Sequence, residues 1–148
     1  AFGLRVALFK AYGKDGWVDE RIDFSSWKAL KPTTPLGSLP VLTLADGTQI
    51  VQTDSIMRWS GRQAGLYPED PLSALRCDEI TCTAFEMLNN SPPSTEPDKR
   101  LEYARGFLTQ SCSLLETKLS ECTYLIGDTL TLADLMVYTI TNMLLTDD

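Results

Sequence analysis

The six residues Leu66-Tyr67-Pro68-Glu69-Asp70-Pro71 divide the chain into two kinds of pattern. Before them, short alternating runs and short helical runs are mixed. After them, every periodic stretch repeats at helical spacing. Pro68 and Pro71 break regular structure at the junction. The expected organisation is a mixed α/β domain over residues 1–65, a linker over 66–71 and an all-helical domain over 72–148. With 148 residues, 43% of them apolar, there is material for both cores.

In the first part, GLRVALFKAY (3–12) places Leu4, Val6, Leu8 and Phe9 over two turns, with Gly13 as a stop signal. That predicts a short helix. WVDERID (17–23) alternates around Val18 and Ile22 and predicts an edge strand. FSSWKALK predicts a brief helical or irregular turn. PVLTL, the turn ADG and TQIVQ form a hairpin pattern, because Asp-Gly between alternating runs is a strong turn signal. Helical spacing resumes from Asp54 to Ala64, and Gly65 closes it. An edge strand plus a hairpin makes a poor sheet, so a partner strand is expected before Ala1. Pro40 stands at the mouth of the strand that begins at Val41 and gives up a ladder donor there. Either it stiffens a loop already holding Pro32 and Pro35, or the loop presents bare backbone to a ligand.

The second part reads as helices. Residues 73–90 predict one helix, ended by Pro92-Pro93. A second begins at about Asp98 and runs to Cys122, with Leu101, Phe107, Leu108, Leu114, Leu115 and Leu119 expected on its buried side. In GDTLTLADLMVYTITNMLL (127–145), Thr131 is placed to be an N-cap, and Asp134 three residues later can reach back to the N-cap amide. Both residues are expected to be structural.

Composition removes whole classes of chemistry. A net charge of −7 argues against nucleic acid, which wants a basic face. No apolar run approaches a membrane span, so no membrane partner is expected. With no histidine a Ser-His-Asp triad cannot be built, a zinc site has little to work with, and no metal is expected. Cys77, Cys82, Cys112 and Cys122 form no CxxC pair, and their expected state is free thiols in a reducing, cytoplasmic compartment. An organelle is the alternative should a targeting segment precede Ala1.

DERI (19–22), Trp27 and Lys31 in WKALKP, LGSLPVL (36–42), QTDSI (52–56), LYPED (66–70) and GDTLTLADL (127–135) occur in an order and spacing that resemble the glutathione transferase family along the whole chain. The resemblance is nearest to the sigma class, the group that includes haematopoietic prostaglandin D synthase. It implies a thioredoxin-like α/β N-terminal domain followed by an all-helical domain, short here of the family's first strand and last helices. It also implies glutathione as co-substrate, a hydrophobic electrophile as second substrate, and a homodimer.

Residue by residue, the resemblance implies that the Leu39–Pro40 peptide is cis and aims the backbone of Leu39 at the cysteinyl part of glutathione. That pairing is like an added strand. Trp27 and Lys31 match the pair that holds the glycine end, by an indole N–H and an ammonium. Gln52 and Thr53 match the Gln-Ser pair that binds the γ-glutamyl group, with Thr53 at a helix N-terminus. Ser38 stands where the family often has Gln or Lys and has a shorter reach. The family's catalytic tyrosine, which stabilises the glutathione thiolate, aligns upstream of Ala1. Tyr12, Tyr67, Tyr103, Tyr124 and Tyr138 fall elsewhere, and Phe2 takes the place of a supporting arginine.

Two functions follow. The first is glutathione conjugation to hydrophobic electrophiles in detoxification, or a glutathione-dependent isomerisation. The second is a non-catalytic, transferase-like structural or assembly subunit of a larger complex. A thiol oxidoreductase would need a cysteine at the first helix, and residues 1–20 contain none.

Overall fold

The structure, a computed structural model, describes residues 2–145. It divides after Gly65 into two compact units.

In the first unit, α1 (Phe2–Tyr12) and α3 (Thr53–Gln63) pack on each other. Their facing residues are small or flexible: Gly3, Leu4, Ala7 and Leu8 from α1, and Ile56, Met57, Ser60 and Gly61 from α3. Ile56 and Met57 are each 1% exposed, and burying each contributes about 1.5–3 kcal/mol. Ser60 lies in the same core without cost to its hydroxyl, which donates to the Ile56 carbonyl one turn back at 2.7 Å. Between these helices come α2 (Phe24–Leu30), a 3₁₀ turn (Lys31–Thr33) and two antiparallel strands, β1 (Val41–Thr43) and β2 (Gln49–Val51).

The strand register pairs Val41 with Val51, Leu42 with Ile50 and Thr43 with Gln49. The turn that sets it is built by Asp46-Gly47. Gly47 supplies φ +85°, its N–H donates to Leu44 C=O at 2.9 Å, and Asp46 Oδ1 accepts from Thr48 N–H at 2.9 Å. The last contact holds the Asp46 carboxyl below its ordinary value.

Residues 17–23 are not a strand. They run without ladder pairing, and Val18 is 88% exposed. Its described contacts are ionic: Asp19 accepts from Arg21 at 3.0 Å and lies 3.5 Å from Arg5 of α1. Alternation alone specifies a strand only where a neighbouring edge supplies the ladder, and no described residue does so.

In the second unit, α4 (Pro71–Asn89) packs on α7 (Leu132–Leu145). Asp70 caps α4 by accepting from Ser73 N–H at 2.8 Å, which lowers its own carboxyl pKa, and Pro71 takes the first helical position. Cys77, Ile80, Thr81, Ala84 and Met87 form its buried stripe at spacings of three and four. Leu132, Ala133, Leu135, Met136 and Ile140 are buried apolar residues of α7. The junction expected as a linker is partly core: Leu66 is 1% exposed, and its carbonyl accepts from Leu132 N–H at 2.8 Å.

The long helix between them is interrupted. It comprises α5 (Pro97–Tyr103), a π turn (Ala104–Leu108) and α6 (Thr109–Glu121). Of the six residues expected on its buried side, Leu115 is buried, and Phe107 and Leu108 are half-buried. Leu101, Leu114 and Leu119 are 48%, 42% and 46% exposed. Leu101 is displaced by the extra residue of the π turn, while Leu114 and Leu119 lie to either side of a narrow inward stripe through Ser111 and Leu115.

Candidate functional site

The expected site residues all lie in the first unit, in two segments: residues 27–40 and the junction of β2 with α3. In the first segment, Lys31 N–H donates to Trp27 C=O, which closes the last turn of α2 and sets the two side chains on one side of it. The chain then folds tightly. Thr33 and Thr34 hydroxyls donate to the carbonyls of Leu30 (2.7 Å) and Lys31 (3.0 Å), and Gly37 N–H donates to Thr34 C=O at 3.3 Å.

Gly37 has φ +62°, and a Cβ placed on it would lie 3.4 Å from Lys31 Cε. The stem of Lys31 therefore runs along the backbone of Gly37. The Leu39–Pro40 peptide is cis. Leu39 is 48% exposed, and among the described residues no hydrogen bond reaches its backbone.

The second segment meets the first through the hairpin. The Val41–Val51 pair closes the ladder, so the chain entering β1 through Leu39-Pro40 and the chain leaving β2 through Gln52-Thr53 lie at the same end of the ribbon. Gln52 is where the ribbon becomes helix: its φ is +77°, a conformation of about 1–3 kcal/mol strain for a residue with a Cβ. Its carbonyl accepts the α3 amide of Ile56 at 3.1 Å. Thr53 opens α3, whose first-turn N–H groups lack intrahelical partners and favour negative charge. Asp54, next in line, is ion-paired to Arg58 one turn on, which offsets its charge at this helix end.

No described interaction engages the side chains of Trp27, Lys31, Ser38, Gln52 or Thr53. The first unit thus carries a backbone edge at Leu39, an ammonium at Lys31, an indole at Trp27 and a helix start at Thr53. Residues 74–147 match the family model described as Glutathione S-transferase, C-terminal domain. The chain is 32% identical over 147 residues to Glutathione S-transferase 1 of Ascaris suum, an alignment covering 91% of this chain and 70% of that protein. The chain belongs to the glutathione S-transferase family.

Two further comparisons extend this. Glutathione S-transferase 2 of Manduca sexta is 36% identical over 76 residues, 51% of this chain and 37% of that protein, so the chain spans well under half of that relative. The crystal structure of the glutathione S-transferase from Ascaris lumbricoides superimposes with a TM-score of 0.72 at 30% identity, over 93% of this chain and 71% of that one.

Within the transferase frame, the tyrosines present have other engagements. Tyr12 stacks on Trp59 with centroids 6.0 Å apart, and Tyr67 donates to Asp78 at 3.0 Å. Tyr103 donates to Met87 C=O, and burial pushes its phenol pKa up. The four cysteines are free thiols, with Cys77 buried and Cys82 exposed. Among the described residues no cluster of acidic and thiol side chains could hold a metal, and no helix is long and apolar enough to cross a membrane.

Two features of the site were missed in the sequence. The strained φ of Gln52 leaves no sequence signal, because glutamine carries no preference for it. Gly37 had one, the glycine of LGSLP directly before the proline strand.

Proposed function

We propose that this chain binds glutathione in the manner of a sigma-class glutathione transferase. The observation that carries this reading is the Val41–Val51 pair, which brings the chain entering β1 at Leu39-Pro40 and the chain leaving β2 at Gln52-Thr53 to the same end of the ribbon. A γ-glutamyl tripeptide has a polar group for each part of that arrangement. Its cysteinyl N–H and C=O pair with the free backbone of Leu39. The γ-glutamyl carboxylate takes the N–H and hydroxyl of Thr53 at the start of α3, with Gln52 beside it. The glycine carboxylate takes the Lys31 ammonium and the Trp27 indole N–H, and Ser38 adds a short hydroxyl contact.

The chemistry that glutathione supplies is thiolate attack on an electrophilic carbon: a C–S bond forms and the leaving group departs with its electron pair, or, in an isomerisation, the thiol is regenerated. The residues here bind and orient. None of the five tyrosines in the chain lies where the family places the thiol-activating phenol, so these residues are assigned binding and orientation alone. A cytoplasmic homodimer acting in detoxification completes the reading.

Calorimetric titration of the folded chain with glutathione and with cysteinylglycine tests it. Glutathione should bind in the micromolar-to-millimolar range, and cysteinylglycine, lacking the γ-glutamyl carboxylate, about tenfold or more weaker. Equal affinity for both, or no binding of either, contradicts the assignment.

A further inference from the structure

We propose that the π turn at Ala104–Leu108 is a register switch: the helix over residues 97–121 has two phases across it, one turning Tyr103 toward α4 and the other turning Leu101 there.

A π turn holds one residue more than the α-turn it replaces, so residues on its two sides align at a spacing of eight rather than seven. In the phase observed, Tyr103 aligns with buried Ser111, and Arg100 with half-buried Leu108. The exposures follow this: Arg100 and Tyr103 are half-buried, while Leu101 (48% exposed) and Glu102 point to solvent. Three contacts hold this phase. The Tyr103 hydroxyl donates to the Met87 carbonyl in the last turn of α4. That turn tightens past Met87, because Ser91 N–H donates to Leu88 C=O and leaves the Met87 carbonyl to the phenol. The Thr109 hydroxyl donates at 2.6 Å to Ala104 C=O, five residues back, inside the widened turn. The Tyr103 and Phe107 rings meet at 6.1 Å.

The sequence carries the other phase. Leu101, Leu108, Leu115 and Cys122 recur every seven residues, so an uninterrupted α-helix places all four on one side. That helix rotates the segment before residue 104 by about one residue, roughly 100°. Leu101 then joins the inward stripe, and the Tyr103 hydroxyl leaves the Met87 carbonyl. The two arrangements exclude each other. Gly106, inside the turn, is not demanded by packing: a Cβ there would meet nothing within 4 Å. Its backbone freedom eases exchange between the phases.

The test is maleimide labelling of a Leu101→Cys variant of the full chain, followed by peptide mass mapping in three backgrounds. In the otherwise native chain, position 101 labels fast. With Tyr103→Phe and Thr109→Val, both side-chain hydrogen bonds of the observed phase are lost, and labelling slows about tenfold; Thr109→Val alone slows it about threefold. Deletion of Gly106 removes the extra residue while keeping Tyr103 over Ser111, so position 101 labels as in the native background. Equal labelling with and without the Tyr103 and Thr109 substitutions overturns the switch and makes the turn a fixed insertion. Slowed labelling in the Gly106 deletion also contradicts it. Should the double variant lose its native circular dichroism, Thr109→Val decides alone, because that side chain is exposed and its loss leaves the rest of the unit intact.

Discussion

Asp134 Oδ2 accepts hydrogen bonds from both the backbone N–H and the hydroxyl of Thr131, at 2.8 and 2.9 Å. Its Oδ1 accepts from Leu125 N–H at 2.8 Å, so one carboxylate secures the start of α7 and the loop that leads to it. Asp134→Ala removes all three acceptor contacts and should destabilise the chain by about 2–3 kcal/mol, read as a shift of the urea midpoint at unchanged slope. Thr131→Val, which keeps the backbone contact, should lose roughly half as much. Matching midpoints for Asp134→Ala and the native chain would remove the cap from the account.

Gln52 separates stability from binding. Its φ of +77° strains any residue with a Cβ, so Gln52→Gly should stabilise the fold by about 0.5–1 kcal/mol while weakening glutathione several-fold. Thermal unfolding and calorimetry on the same preparation measure both. A variant that is less stable would show that the glutamine side chain contributes packing the strain argument omits.

Burial pushes the Cys77 thiol above its ordinary 9.0, so the folded state holds this proton more tightly than the unfolded chain. Stability from this group is complete below the ordinary value and is lost as pH rises through the folded one. Unfolding free energy should therefore fall on going from about pH 8 to pH 10, and Cys77→Ala should flatten that slope. In native conditions iodoacetamide should modify exposed Cys82 well before Cys77. Equal rates at the two thiols would contradict the burial on which the slope depends.

Lys31 is assigned to the glycine carboxylate. Lys31→Met should weaken glutathione about tenfold at low salt, with a smaller loss as salt screens the ammonium. γ-Glutamylcysteine, which lacks the glycine, should bind the native chain and the variant alike. A matching loss for both ligands would place Lys31 elsewhere in the site.

What could be read from the residues depended on how local the cause was. The Asp-Gly hairpin, the stop at Gly65, the cap at Asp134 and the change of pattern at 66–71 each rest on chemistry within a few residues, and each is legible in the sequence. The segment 17–23 was misread because its alternation says nothing about whether an edge exists to pair with. Leu101 was misread because a heptad pattern cannot announce an inserted π residue, which a phenol on one side and a carbonyl of another helix support. At the candidate site, the residues were assigned through their resemblance to a family, and their roles rest on the binding experiments proposed here. That residues 39–40 and 52–53 flank the same end of the ribbon came from the strand register, and the backbone of Gln52 had no sequence signature.

The central claim is that residues 27–53 hold glutathione, and the most direct test is calorimetric titration of the native chain beside a Trp27→Ala, Thr53→Ala double variant. The account predicts micromolar-to-millimolar binding to the native chain, reduced about 100-fold or abolished in a double variant that keeps its circular dichroism. Glutathione bound equally by both would put the site elsewhere, and a folded native chain that binds none would contradict the account.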